Sequence, residues 1–168
     1  MKSNLLMNFT VDKENNTVNV KREFNASLPQ VWSAWTEPQI LDLWWAPAPW
    51  KSKTKSMEFK EGGRRLYAML GPEGEEHWAI ADFTSIDPKT NFKYLDAFSD
   101  SEGNLNEEFP RSDWNVTFSE KDGSTFVDVI IKHEKLSDLE MIIQMGFKEG
   151  FTIAMEGLDA IFAEKNKN

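Results

Sequence analysis

Two carboxylates are the side chains best placed to do chemistry, because each alternates in phase with large apolar residues. Between His77 and Asp87, Trp78, Ile80 and Ile86 share strand parity with Asp82; between Asn91 and Ser99, Phe92, Tyr94 and Phe98 share it with Asp96. Alternate residues of a strand point to one face. If those faces turn inward, both carboxyls enter an apolar space, where burial favours the neutral acid and raises the pKa. That is the condition for an acid–base group or a polar anchor in a pocket. Two other dispositions stay open: Asp96 in solvent near a strand end, and Asp82 paired with Arg64 or Arg65.

Other reactive chemistries find no support. His77 and His133 fall near strand ends, far apart, with no ligand spacing around them, so neither a metal nor another cofactor is expected. The acidic runs Glu73-Glu75-Glu76 and Glu102-Glu107-Glu108 lack the loop pattern of a calcium site. No nucleophile elbow, phosphate loop or dinucleotide fingerprint occurs. The absence of cysteine removes disulfides, thiolate ligands and thiol nucleophiles, and it fits a reducing cytoplasm.

The elements that would position these groups follow from periodicity. Residues 7–11 and 17–24 read as strands around the Asn-rich turn, and Ser27 caps a helix at Leu28-Pro29 whose stripe carries Val31, Trp32 and Trp35. Pro38 opens a short helix over 39–45, stopped by Pro47 and Pro49. Strands are predicted at 53–60, 64–71, 77–87, 91–99, 112–120 and 124–133, joined by turns too short for crossovers, so neighbours should pair antiparallel. The acidic stretch 100–110 is expected to be mobile. A helix capped at Ser137, with Glu140 in a capping box, begins the last segment. Beyond Gly146, Phe147, Phe151, Ala154, Leu158, Ile161 and Phe162 share one face, opposite Lys148, Glu149, Thr152, Glu156 and Asp159. Gly146, Gly150 and Gly157 share a flank, which predicts close packing there.

The order is strands, two short helices, an antiparallel run, then one long amphipathic helix. Six to eight strands must bury one face, and only the last helix is long enough to cover it. A twisted sheet gripping one helix leaves a gap between them. The expectation is therefore an α+β protein, with residues 1–168 as a single domain whose apolar pocket lies between sheet and helix. The net charge of −9 argues against nucleic acid. Charges break every apolar run, so no membrane span is expected. Met1–Met7 lacks the apolar core and cleavage site of a signal peptide, which agrees with a cytoplasmic location.

Four pieces of sequence resemble one family. Phe24-Asn25-Ala26-Ser27 with Val31-Trp32-Ser33-Ala34-Trp35-Thr36 resembles its approach to the first helix, and Trp44-Trp45-Ala46-Pro47 its "WW-small-Pro" signature, with Ala46 for the usual Gly. Glu58-Phe59-Lys60-Glu61-Gly62-Gly63 and Gly71-Pro72-Glu73-Gly74 resemble its hairpins. Met145-Gly146-Phe147-Lys148-Glu149-Gly150-Phe151 resembles the start of its last helix, with Phe151 for the commoner Trp. The chain thus looks like a START-like (SRPBCC) domain of the kind related to the activator of the heat-shock-protein-90 ATPase, over roughly residues 17–163. The resemblance implies a helix-grip fold and, often, binding of a lipid, polyketide-like or other apolar molecule. It does not imply a reaction. The separate N-terminal domain of full co-chaperones is not in the sequence, which makes ATPase stimulation the lesser expectation.

The predicted pocket residues are Tyr67, Met69, Trp78 and Trp114 from strands, and Trp45, Trp50, Met145, Phe147, Phe151 and Met155 from the lid and last helix, with Asp82 and Asp96 as polar groups. Aromatics and adaptable methionines suit a pocket of variable content; the same residues would also serve as plain core. The first functional expectation is non-catalytic binding of an apolar or amphipathic small molecule. A cyclase- or hydrolase-like enzyme, needing Asp82, Asp96, Arg64, Arg65 or His77 to converge, and a chaperone-interacting module are the alternatives. A homodimer is left open.

Overall fold

Among the described residues one continuous sheet of eight strands forms the frame; numbered along the chain, their order across it is 1-2-8-7-6-5-4-3. The computed structural model describes residues 5–166; Met1–Asn4, the start of the stretch read for a signal peptide, lies outside them. The strands are β1 (Met7–Asp12), β2 (Thr17–Phe24), β3 (Lys51–Met57), β4 (Arg64–Leu70), β5 (Glu76–Asp87), β6 (Asn91–Ser99), β7 (Ser112–Lys121) and β8 (Ser124–His133). Every neighbouring pair is antiparallel, as the short turns require. Helices α1 (Leu28–Thr36) and α2 (Pro38–Trp44) separate β2 from β3, and α3 (Leu136–Gln144) and α4 (Phe147–Lys165) follow β8. This is the helix-grip α+β architecture.

The inner face of the sheet is built by alternation. Val18, Val20 and Phe24 of β2, Trp114, Val116 and Phe118 of β7, and Val127, Val129 and Ile131 of β8 are all buried. They meet Phe151, Ala154, Met155, Leu158 and Phe162 on one side of α4. Ser27 caps α1 as expected, and Gln30 completes the capping box by accepting from the Ser27 N–H. Arg22 interrupts the apolar alternation of β2 but stays buried, ion-paired with Asp159 of α4. Asp159 therefore faces the sheet rather than solvent.

Four local expectations are corrected. The last segment is two helices, broken at Gly146, which adopts the left-handed conformation with φ of 89°; Ser137 lies inside α3 and Lys135 occupies its N-cap. Of the three glycines read as one flank, only Gly150 approaches a neighbour, where an added Cβ would sit 3.6 Å from Pro47; nothing lies within 4 Å at Gly146 or Gly157. The close-packed flank is thus confined to Gly150, while Gly146 serves backbone conformation. β3 starts two residues earlier than predicted and ends three earlier, because the chain turns at Glu58 to bond Arg64. The acidic stretch after β6 is pinned rather than loose: the Asp100 carboxylate accepts from the N–H groups of Glu102 and Asn104, and Arg64 and Lys55 donate to the carbonyls of Gly103 and Ser101. No helix among the described residues is long and apolar enough to cross a membrane.

Candidate functional site

The end of the sheet under the α3–α4 junction is not filled. A cavity of about 300 Å³ lies there, bounded by β4–β8, α3, α4 and the chain after α2. Strand register explains why its polar groups meet: Ala81, Asp96, Ser112 and His133 are successive cross-strand partners on β5, β6, β7 and β8. The adjacent row brings Tyr94, Trp114 and Ile131 together. Side chains opposite one another in paired strands touch, so one row supplies a polar band and the next an aromatic wall.

Most of the predicted pocket residues converge here. Trp45, Tyr67, Met69, Trp114, Phe147 and Phe151 line the cavity, as does Met145, whose 56% exposure puts it at the rim. Trp114 meets Phe147 edge-on at 6.0 Å and Phe151 at 5.8 Å, and stacks on Tyr94 at 5.3 Å between centroids, geometries favoured by the ring quadrupoles. Trp45 joins lid to sheet by donating its Nε1–H to the Tyr67 hydroxyl at 3.1 Å.

Three predicted residues lie elsewhere. Trp50 stacks on the cavity residue His77 at 5.5 Å rather than lining the space itself. Met155 is sealed in the core beneath α4. Trp78 faces the outside of the sheet, packed with Leu66, Ile80 and Ala97.

The two carboxylates are divided by the same geometry. A register shift between Phe83 and Ser85 breaks the parity of β5, so Ile86 reaches the inner core while Ile80 and Asp82 face out. Asp82 bonds Arg64 at 2.5 and 3.1 Å and Arg111 at 2.7 Å. Burial alone would raise its pKa, but the hydrogen bonds and charges of Arg64 and Arg111 outweigh that and lower it. Asp82 is therefore not a pocket group. Asp96 is: its Oδ1 accepts from the Ser112 N–H at 2.9 Å and hydroxyl at 2.6 Å, and its Oδ2 from Trp114 Nε1 at 3.0 Å. Of the groups that an acid–base enzyme would use, Asp96 and His77 line the cavity, Arg65 lies against the Tyr67 ring, and Asp82 and Arg64 face outward. No cluster of three or more His, Asp or Glu among the described residues could hold a metal ion.

The family model for activator of Hsp90 ATPase homolog 1-like protein matches residues 25–163, which contain every cavity residue. The chain belongs to this family. With that family it shares the START-like (SRPBCC) fold that its motifs imply. A solved protein from Mycobacterium smegmatis is 28% identical, with 94% of this chain and 96% of that one covered at a TM-score of 0.86. One from Arthrobacter aurescens is also 28% identical, with 94% and 91% covered and a TM-score of 0.88. A Staphylococcus epidermidis structure at 24% identity and a TM-score of 0.82, covering 95% of this chain and 96% of that one, shares the fold. No curated protein matches the chain. The family assignment supports a ligand-binding or Hsp90-ATPase-activator-like fold.

Sequence reasoning missed His133 and Ser112 in this family member. The signal was present: Thr125, Val127, Val129, Ile131 and His133 alternate along β8, so His133 shares the inward face. It is 2% exposed, lines the cavity, and has no hydrogen-bond partner at Nδ1 or Nε2. Burial pushes it below its ordinary 6.5, against the pull of Asp96 on β6 and Asp138 on α3, which favour the charged ring. Burial likewise raises Asp96 above its ordinary 3.8, partly offset by the bonds from Ser112 and Trp114 and by His133. The signs then oppose. The His133 contribution to stability is complete above 6.5 and is lost as pH falls through the folded value. The penalty on buried, ionised Asp96 is relieved as pH falls toward 3.8. The expected NMR titration has the His133 ring midpoint below 6.5. A midpoint above it would mean that the two carboxyls outweigh burial.

Proposed function

We propose that this protein binds an apolar or amphipathic small molecule in the cavity between the sheet and α4. One observation carries the reading: a space of about 300 Å³ is left between aromatic walls, against about 20 Å³ in the gap beside Trp35 and Arg65. Protein interiors normally pack to the density of organic crystals, and apolar walls facing a space of this size gain dispersion contacts and lose water when an apolar molecule enters. Concave apolar space with a few convergent polar groups is the usual form of a small-molecule site. The wall is mainly rings and aliphatic chains, with Asp96, Ser112, His77, His133 and the tyrosines Tyr67 and Tyr94 as its polar residues.

Trp114 and Trp45 make the site self-reporting. Titration with medium-chain fatty acids and with fused-ring aromatics is expected to change tryptophan emission saturably, and native mass spectrometry of the gently purified protein is expected to show an adduct. An unchanged spectrum with every probe, together with a bare mass, would overturn the reading.

A further inference from the structure

We infer that the cavity selects an apolar ligand carrying one hydroxyl group, and that the polar row Asp96–Ser112–His133 holds that hydroxyl. The inference deepens the ligand-binding reading and rests on it.

The argument is a count of spent and unspent hydrogen-bonding groups. The Trp45 Nε1–H is spent on Tyr67, and the Trp114 Nε1–H on Asp96. The Ser112 hydroxyl and backbone N–H both go to Asp96 Oδ1. Among the described residues, the buried side-chain polar atoms with no partner belong to Trp35, Asp159 and His133, and of these only His133 is part of the cavity wall. Buried polar groups are nearly always satisfied, so an orphaned imidazole beside an open space points to a partner that enters that space. Trp35 and Asp159 have no space of that size: Trp35, packed among the rings of Trp44, Trp45, Phe118 and Phe151, borders only a gap of about 20 Å³, room for a water and not for a ligand, and Asp159 is held by Arg22.

The chemistry of the missing partner follows. A neutral imidazole offers one donor and one acceptor. An alcohol or phenol is also both, so one hydroxyl can meet either ring nitrogen. A carboxylate head accepts only, so it leaves the acceptor nitrogen of the ring unpaired, and it would add a second negative charge to the row that holds Asp96 two strands away. An ammonium donates only, so at the ring it leaves the imidazole N–H unpaired, and at Asp96 it finds about one lone pair not already taken by Ser112 and Trp114. The ring is kept neutral by burial despite Asp96 and Asp138, which suits a neutral head group. Opposite the polar row, Phe147 and Phe151 of α4 and Ile142 of α3 leave only apolar surface for the rest of the molecule.

Three probes with one body separate the possibilities: naphthalene, 2-naphthol and 2-naphthoate, titrated against the full chain by tryptophan fluorescence. Hydrophobicity alone ranks naphthalene first. The hydroxyl site instead predicts that 2-naphthol binds roughly threefold to tenfold tighter than naphthalene, the span of one net hydrogen bond, and that 2-naphthoate binds weakest. His133→Phe is expected to erase the 2-naphthol preference while naphthalene still binds. Should that variant not fold, the wild-type protein serves: ¹⁵N NMR is expected to show the His133 ring nitrogens shifting with 2-naphthol and not with naphthalene. His77→Asn identifies which of the two histidine signals is which. Equal or tighter binding of naphthalene, with the His133 nitrogens unmoved, would overturn the hydroxyl site and leave the ligand-binding reading intact. Tightest binding of 2-naphthoate would overturn it as well. If none of the three bound, the hydroxyl site would be overturned, and the ligand-binding reading would fall with it only if the fatty acids also left the spectrum unchanged and the native mass were bare.

Discussion

Asp42→Ala is expected to lower the unfolding free energy by about 3–5 kcal/mol, because it strands a buried cation. Arg65 is 4% exposed and its guanidinium lies over the Tyr67 ring at 3.9 Å. Its Nη2 donates to Asp42 at 3.2 Å and to the Ser52 hydroxyl at 3.0 Å, and its Nε to the Thr54 hydroxyl at 3.1 Å. Asp42 in turn accepts from the Ser52 and Thr54 hydroxyls and from the Thr54 N–H. One carboxylate on α2 thus balances the charge on β4 and fastens α2 to β3. Removing it leaves the guanidinium with neutral partners in a desolvated site. Urea denaturation of Asp42→Ala and of the double variant Asp42→Ala/Arg65→Met measures this directly. The double variant should recover part of the loss, since a buried pair replaced by apolar groups of similar volume is often near neutral. A loss below about 1 kcal/mol for the single change, the range of an exposed pair, would show that water reaches Arg65.

That network also shows where sequence reading stops. Arg64 and Arg65 are consecutive and chemically alike, so composition cannot say which turns inward. Register decides it: Arg65 shares a face with Tyr67 and Met69, while Arg64 shares one with Leu66 and reaches Asp82. The antiparallel pairing of strands joined by short turns and the Trp114, Tyr67 and Met69 walls were legible because tight turns fix neighbours and uninterrupted alternation carries a strand's faces along its length. The pairing of β2 with β8, by contrast, had no local signal. Asp82 and Trp78 were misplaced because they were tied to Ile86 by parity across the irregularity between Phe83 and Ser85. A bulge inserts one residue and inverts every assignment beyond it, and no residue type in Thr84-Ser85 announces it. His133 was overlooked for a different reason: a lone histidine has no spacing signature, and its role appears only when β6, β7 and β8 are laid side by side. The break at Gly146 lay within a recognised motif, yet the apolar stripe beyond it drew attention away from the left-handed residue that separates α3 from α4.

Phe24→Ala should cost about 3–5 kcal/mol, the usual figure for a fully enclosed phenylalanine, whereas Phe151→Ala should cost about 2–3 kcal/mol, below that range because one side of the ring borders the cavity and has fewer protein contacts to lose. Phe24 is 0% exposed, set edge-on to Phe162 at 5.8 Å beneath α4. Phe151 is 7% exposed and touches Trp35, Trp45, Trp114 and Phe147, but it also lines the cavity. The atoms facing that space have no partners to lose. Urea unfolding of the two variants under one set of conditions therefore reports on the cavity as much as on the side chains. If Phe151→Ala proved as costly as Phe24→Ala, the walls would be closed onto Phe151 in solution, and the space offered to a ligand would be smaller than the structure shows. If it is the milder change, the truncated ring enlarges a space that was already open, and fused-ring probes bulkier than naphthalene should gain affinity for the variant over the wild type. A stability difference and a binding difference of these signs would then have one cause: a cavity that the fold keeps open at the end of the sheet, under the α3–α4 junction.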